Sequence, residues 1–212
     1  MMNISNYIVG AGGHCRAVIN LLKQSTTLNS IKIIDIGDHP KEKEILNIEV
    51  IRCKAIEKLE VKNINLFCAI GDNEKRISIL KKARKLNYST PSLISKSAYI
   101  DNTAKISDGS FIGNLVYVGP NSFIGKDCII NTSSVIEHET KISDGCHIAP
   151  NATICGRVSI DKFCFLGAGA TVIDNISIAE NSLIGAGATV VKNIKIPSRT
   201  WTGVPANVNE KN

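Results

Sequence analysis

The 212-residue sequence predicts two folded parts in series: an α/β domain over residues 1–92 and a parallel β-helix over 93–196, followed by a short cap and tail at 197–212. Three observations carry that expectation. They are a strand, glycine turn and helix near the start, an unbroken six-residue repeat from Ile94 to Ile196, and a matching core composition. Isoleucine, valine and leucine supply 58 residues whereas aromatics are only 5%, so the core is aliphatic and stiff at χ1, which favours extended backbone.

Taken in order, Tyr7-Ile8-Val9 reads as a short strand, Gly10-Ala11-Gly12-Gly13-His14 as a tight turn, and the spacing of Ala17, Val18, Leu21 and Leu22 as a helix. A second strand, Ile31-Lys32-Ile33-Ile34, ends on Asp35. This is a half-Rossmann unit, with backbone N–H groups for phosphate and a carboxylate for a sugar hydroxyl. Cys15 stands where the third glycine of G-x-G-x-x-G would fall, and the domain has room for only one mononucleotide half, so a full dinucleotide site is not expected. A third strand, Asn65-Leu66-Phe67-Cys68-Ala69-Ile70, leads through Gly71-Asp72-Asn73 into a basic helix carrying Lys75, Arg76, Lys81, Lys82, Arg84 and Lys85. Pro91 marks the passage to the next domain. Strand ends of an open parallel sheet converge on one crevice, which groups Gly10, Gly12, Gly13, His14, Asp35 and Gly71 as a candidate ligand site. The alternative is a glycine turn that is only a turn.

From Ile94, every sixth residue through Ile196 is Ile, Leu or Val, eighteen in succession. At the composition of this chain the chance of such a run is on the order of 10⁻¹⁰. Four residues after most of these stands a small or β-branched residue, as at Ala98, Ser110, Cys128, Thr140, Cys146 and Cys164. A period of six fits neither an α-helix nor simple alternation. It suits a coil of short strands meeting at corners, with one large and one small side chain turned inwards per side. Three hexads per coil give five to six coils and place residues eighteen apart above one another, about 4.8 Å per coil. Cys128, Cys146 and Cys164 then stack as interior filler. No hexad is interrupted, so chemistry must come from corners, faces, the other domain or a neighbouring subunit.

Composition narrows the function. No run of about 18 apolar residues exists and the first six residues lack a basic-then-apolar leader pattern, so a cytoplasmic protein without a membrane span is expected. Seven cysteines without a C-x-x-C pair point to reduced thiols and to no structural metal. The net charge of +6 lies wholly in residues 1–92, which hold 15 Lys+Arg against 9 Asp+Glu, while residues 93–212 hold 10 of each. That asymmetry suits a small anionic ligand in the first domain better than nucleic acid along the whole chain. A Lys-rich solvated surface on the helices is the plain alternative.

In the repeat region His138 lies between Glu137 and Glu139, two residues after the inward Ile136 and hence at an outward corner. Flanking carboxylates make an imidazole a better base, although a solvated corner would look the same. One coil above lies Gly156, where the missing side chain leaves room for a substrate. Leu166-Gly167-Ala168-Gly169-Ala170-Thr171-Val172 and Ile184-Gly185-Ala186-Gly187-Ala188-Thr189-Val190 are eighteen apart, so their Gly/Ala corners stack into a smooth groove. The competing explanation is glycine fitting a tight corner.

The hexapeptide pattern resembles the left-handed parallel β-helix. Together with Gly10-Ala11-Gly12-Gly13-His14, Asn131-Thr132-Ser133-Ser134-Val135-Ile136-Glu137-His138-Glu139 and Gly203-Val204-Pro205-Ala206, it makes nearly the whole chain similar to bacterial sugar acetyltransferases, the group of sialic-acid O-acetyltransferases and UDP-4-amino-sugar N-acetyltransferases. The resemblance implies a homotrimer with acetyl-CoA bound between neighbouring prisms. It implies His138 as general base, Glu139 raising its basicity, Asn131 supporting it, and His147 at the acetyl end. Ala168 and Ala186 match positions that line the CoA arm, beside the register-based cofactor-binding candidates Gly156, Gly167 and Gly185, and Gly12, Gly13, His14 and Asp35 would hold a nucleotide-linked amino sugar.

The expected reaction is direct attack of the sugar 4-amino group on the acetyl thioester, with a backbone N–H near Gly156 as oxyanion donor. O-acetylation of sialic acid or a related nonulosonic acid is the nearest rival. A zinc carbonic anhydrase needs three histidines where the prism has two. A non-catalytic binding β-helix would require neither the nucleotide-like domain nor the Glu-His-Glu corner.

Overall fold

The structure, a computed structural model, describes residues 5–24, 30–36, 42–53, 55–59 and 63–209. The first four residues of the leader reading and the last three of the tail lie outside the described residues. The chain divides into two compact units, Met1–Leu93 and Ile94–Asn212.

The first unit contains β1 (Ser5–Val9), α1 (Gly13–Leu22), β2 (Ile31–Asp35), β3 (Glu44–Ile45), β4 (Ile48–Arg52), β5 (Ile64–Cys68) and α2 (Asn73–Lys85). The sheet order is β3-β4-β2-β1-β5, parallel throughout except for the β3–β4 hairpin. Ile8, Val9, Ile33, Ile34 and Leu66 are fully buried, which is why these strands read as apolar runs and not as alternation. The hairpin is an element absent from the sequence expectation. Its two-residue turn is Leu46-Asn47, both at positive φ, without the Asn-Gly pair that usually announces such a turn. Helix α2 starts on Asp72, whose Oδ1 accepts the Lys75 N–H at 2.8 Å, and ends in Lys82, Arg84 and Lys85, which complement the helix dipole.

The second unit is a three-sided coil of two-residue strands. One face runs through Tyr99–Ile100, Tyr117–Val118, Val135–Ile136, Thr153–Ile154, Thr171–Val172 and Thr189–Val190. The next runs from Lys105–Ile106 to Ser177–Ile178, and the third from Leu93–Ile94 to Leu183–Ile184. Neighbouring strands pair in parallel eighteen residues apart, as in Val118↔Ile136 and Ile136↔Ile154. From Ile112 to Val190 every sixth residue is at most 2% exposed. From Gly109 to Gly187 every sixth residue is left-handed, with φ between 55° and 78°; this is the corner that lets the chain turn.

The small inward residues do more than fill space. Ser110, Ser122, Cys128, Thr140, Cys146 and Cys164 each donate to a carbonyl fifteen residues on, in the coil above, at 2.8–3.2 Å. The stacked cysteines are therefore thiol donors to corner carbonyls, and no disulfide joins any of the seven cysteines. Burial pushes the Cys146 thiol well up from its ordinary range.

The repeat departs from its register at both ends. Ile94 is 43% exposed and Ile196 is 54% exposed, so neither is an interior residue. Ile194 takes the last interior place, bridging Ile178 sixteen residues back, because Asn193 Oδ1 accepts the Ser177 N–H and tightens that corner. Trp201 then pairs with Ile184 through the strand Thr200–Thr202, so the parallel stacking continues past residue 196 into the segment read as a cap. Asn207–Val208 folds back antiparallel and ends the sheet. Among the described residues no helix is long and apolar enough to cross a membrane.

Candidate active site

The C-terminal ends of β1, β2 and β5 open onto a cleft of about 790 Å³. All six residues grouped from the sequence line it: Gly10, Gly12, Gly13, His14, Asp35 and Gly71. The three glycines of the turn have different reasons. Gly10 has φ +104° and its Cα lies so near Ile70 that a Cβ would come within 2.8 Å of Cγ1, so the fold itself demands glycine. A Cβ on Gly12 or Gly13 would meet nothing within 4 Å. Gly12 is the N-cap of α1 and brings no side-chain acceptor to the first turn, so the helix start presents backbone N–H groups to the cleft, as anion sites do. Cys15, in place of a third glycine, is fully buried and its thiol is pushed up to about 12 by that burial; it packs the helix against the sheet and does not face the cleft.

The sequence reading missed Lys75 and Ser78 as cleft residues, along with the apolar wall of Ile36, Ile70 and Ile79. Lys75 brings a cation to the cleft lining, and the signal for it was its place in the first turn of a helix that follows a strand end. Arg76, read only as part of a basic helix, is 1% exposed. Its guanidinium donates to Ile70 O and Gly71 O at 3.2 and 3.0 Å and to Asn73 Oδ1 at 2.7 Å, bracing the loop that carries Gly71.

In the second unit His138 and Glu139 lie together at the corner after Val135–Ile136. His138 Nδ1 is 3.2 Å from Glu139 Oε2. A carboxylate only accepts, so in a neutral ring this pairing puts the hydrogen on Nδ1 and leaves Nε2 as the acceptor. The ring lies against Gly156: a Cβ there would be 2.5 Å from Cε1 and 2.6 Å from Nε2. Gly156 is thus the seat of the imidazole: the space expected to admit a substrate is filled by the His138 ring. No bond of the described residues takes its N–H, while its carbonyl accepts from Asn175 N at 3.0 Å.

The other candidates fall elsewhere on the prism. Asn131, Gly167, Ala168, Gly185 and Ala186 belong to the corner that precedes the His138 face, one side of the coil away. Asn131 Oδ1 accepts the Thr132 N–H at 2.8 Å and makes no hydrogen bond to His138 within the chain. His147 is in a strand of the third face, edge-on to Phe165 with ring centroids 4.9 Å apart. Gly167 is required by stacking, since a Cβ would stand 2.5 Å from Ala186 N, and Gly169 and Gly187 hold the left-handed corner. What faces solvent is the exposed pair Ala168 and Ala186 with open space beside Gly169 and Gly187, a smooth edge without side chains to obstruct a slender ligand. A single chain therefore carries His138 at one corner and the Gly/Ala edge at another. Among the described residues no three His, Cys, Asp or Glu side chains come together as a metal site.

Residues 7–83 match the PglD N-terminal domain, and residues 121–156 match the bacterial transferase hexapeptide (six repeats). Among solved structures, a mutant perosamine N-acetyltransferase from Caulobacter crescentus in complex with CoA and GDP-perosamine is 30% identical, with TM-score 0.89 over 98% of this chain and 97% of that one. The acetyltransferase domain of PglB from Neisseria gonorrhoeae in complex with acetyl coenzyme A is 26% identical, with TM-score 0.87 over 98% and 100%. WeeI from Acinetobacter baumannii shares the fold at 21% identity and TM-score 0.89 over 97% and 100%. The prism is the left-handed parallel β-helix of these transferases. By domain content, near-complete overlap and identity, the chain belongs to the bacterial hexapeptide-repeat sugar acetyltransferases that carry a PglD-type N-terminal domain.

Proposed function

We propose that the protein transfers the acetyl group of acetyl-CoA to the 4-amino group of a nucleotide-linked amino sugar, with His138 as general base. The observation that carries the reading is the His138 arrangement: Nδ1 against Glu139, and the ring seated on Gly156 in the space that its missing side chain leaves. The cleft of the first unit suits the nucleotide, with the α1 N-terminus and Lys75 for a diphosphate and Asp35 for a sugar hydroxyl. A nucleotide-linked amino sugar and CoA are also what the Caulobacter relative holds.

Nε2 accepts a proton from the amine as the nitrogen attacks the thioester carbon. In this reading the Gly156 N–H receives the oxyanion of the tetrahedral intermediate, the C–S bond breaks, and the imidazolium returns its proton to the departing thiolate. A thioester is already activated, so holding both substrates together supplies much of the rate and no acetyl-enzyme is needed. The separation of His138 and groove onto two corners supports a homotrimer in which one subunit offers His138 and its neighbour the edge at Ala168 and Ala186, with that neighbour's Asn131 supporting the base and its His147 at the acetyl end. We place the reaction in the cytoplasm, as a step of surface-glycan synthesis; the seven cysteines, none of them in a disulfide, suit that compartment.

The test is CoA-thiol release from acetyl-CoA against UDP-, GDP- and CMP-linked amino sugars and free sialic acids. Release with one nucleotide amino sugar, lowered about 10²–10⁴-fold by His138→Ala, is expected. Undiminished turnover in that variant would falsify the mechanism, and acetylation of free sialic acid alone would select the O-transfer alternative.

A further inference from the structure

Glu139 and Arg157 occupy the left-handed corner position in consecutive coils, eighteen residues apart, with φ +60° and +57°. Elsewhere on the prism that position is mostly Asn, Asp, Ser or Gly, residues that enter left-handed backbone at little cost. Two long, oppositely charged side chains adopt it side by side at the corner that holds His138, against their conformational preference.

There they form an ordered line of contacts. Glu139 Oε2 is 3.2 Å from His138 Nδ1, and the same oxygen faces Arg157 Nη1 at 3.8 Å. Arg157 is in turn held from the coil above: Nε donates to Asn175 Oδ1 at 3.1 Å and Nη2 to Asp174 Oδ2 at 3.4 Å. Asn175 Nδ2 donates to Asp174 Oδ2 at 2.7 Å and keeps that pair together. The planar guanidinium is thus gripped along one edge and presents the other to Glu139, a geometry that lysine cannot reproduce.

We infer that Arg157 is a positioning residue for the transfer: it holds the Glu139 carboxylate against His138 Nδ1, so that the imidazole keeps its proton there and its lone pair on Nε2. The inference rests on the reading of His138 as general base. Glu139 is half-exposed and rotates about several bonds, so an untethered carboxylate exchanges His138 for water. A neutral imidazole that loses its acceptor at Nδ1 moves its hydrogen toward Nε2, and in that tautomer Nε2 takes no proton from the amine. Arg157 acts only through Glu139 and touches no reacting atom.

The test is a double-mutant cycle of Arg157→Met with Glu139→Gln, read by turnover and by ¹⁵N NMR of the His138 ring in the full-length protein. Arg157→Met is expected to lower kcat about fivefold, the scale of one exposed ion pair, with both KM values within twofold and the unfolding temperature unchanged. The neutral His138 ring shifts from Nδ1–H to a mixture of tautomers. Arg157→Lys restores part of the turnover, and in the Glu139→Gln background Arg157→Met causes no further loss. An additive loss in that background, or a tautomer identical to wild type in Arg157→Met, overturns the inference. If the wild-type protein acetylates no sugar, the functional reading fails, whereas the tautomer comparison needs no substrate and still decides the role of Arg157.

Discussion

The cleft of the first unit and the His138 corner of the second are built on opposite principles. The cleft is made chiefly of backbone and small residues at three strand ends. The corner depends instead on side chains projecting from a rigid coil. A phosphate-binding turn needs N–H groups and empty space, which a glycine turn before a helix supplies locally. Acid–base chemistry needs side chains fixed to within a fraction of an ångström, which a stack of coils provides by repeating one geometry every eighteen residues.

That contrast can be broken most strongly at Gly156. Gly156→Ala puts a methyl group where the His138 ring lies, so kcat should fall by about 10²-fold while binding of the nucleotide sugar persists. Steady-state kinetics with calorimetric binding checks this; an unchanged kcat would mean that the ring need not rest on residue 156. The matching change in the cleft, Gly12→Ala, meets no protein atom, so folding should be untouched. The methyl occupies ligand space, and KM for the nucleotide sugar should rise about tenfold with kcat nearly constant. A rise in the acetyl-CoA KM instead would assign the glycine turn to the other substrate.

The smallest effect expected lies inside the coil. Cys146→Ala removes a buried thiol and its bond to Asp161 O, at a cost of about 1–2 kcal/mol. Cys146→Ser should cost less, because Ser110 and Ser122 already make the equivalent bond to the coil above. Urea unfolding separates the two, and acetyl transfer should be unaltered in both. An alanine variant as stable as wild type would reduce the cysteine column to space filling.

Much of this was readable because a hexad repeat is a nearest-neighbour code: Ile at every sixth place fixes both the interior and which residues lie eighteen apart. His138, Glu139 and Gly156 could be placed together from register alone. The same rule failed at Ile196, where Asn193 shortens a corner and Ile194 becomes the interior residue, a side-chain hydrogen bond that no periodicity encodes. The Leu46-Asn47 hairpin was hidden because leucine gives no signal for positive φ and Asn47 alone does not announce a two-residue turn. Lys75 was counted as surface charge, and Arg76 too, since a basic helix sequence does not reveal which of its cations turns under a loop.

By itself the sequence determined the two-part architecture, the aliphatic interior and the residues that can share a corner, because those follow from local propensity and a strict period. Only the tertiary structure decided which glycines serve the fold and which leave room for a ligand, a question of what an absent Cβ would meet. It alone showed that the His138 ring rests on Gly156. It also joined Arg157 to Glu139, because contacts between coils depend on side-chain directions that are set only when the coils stack.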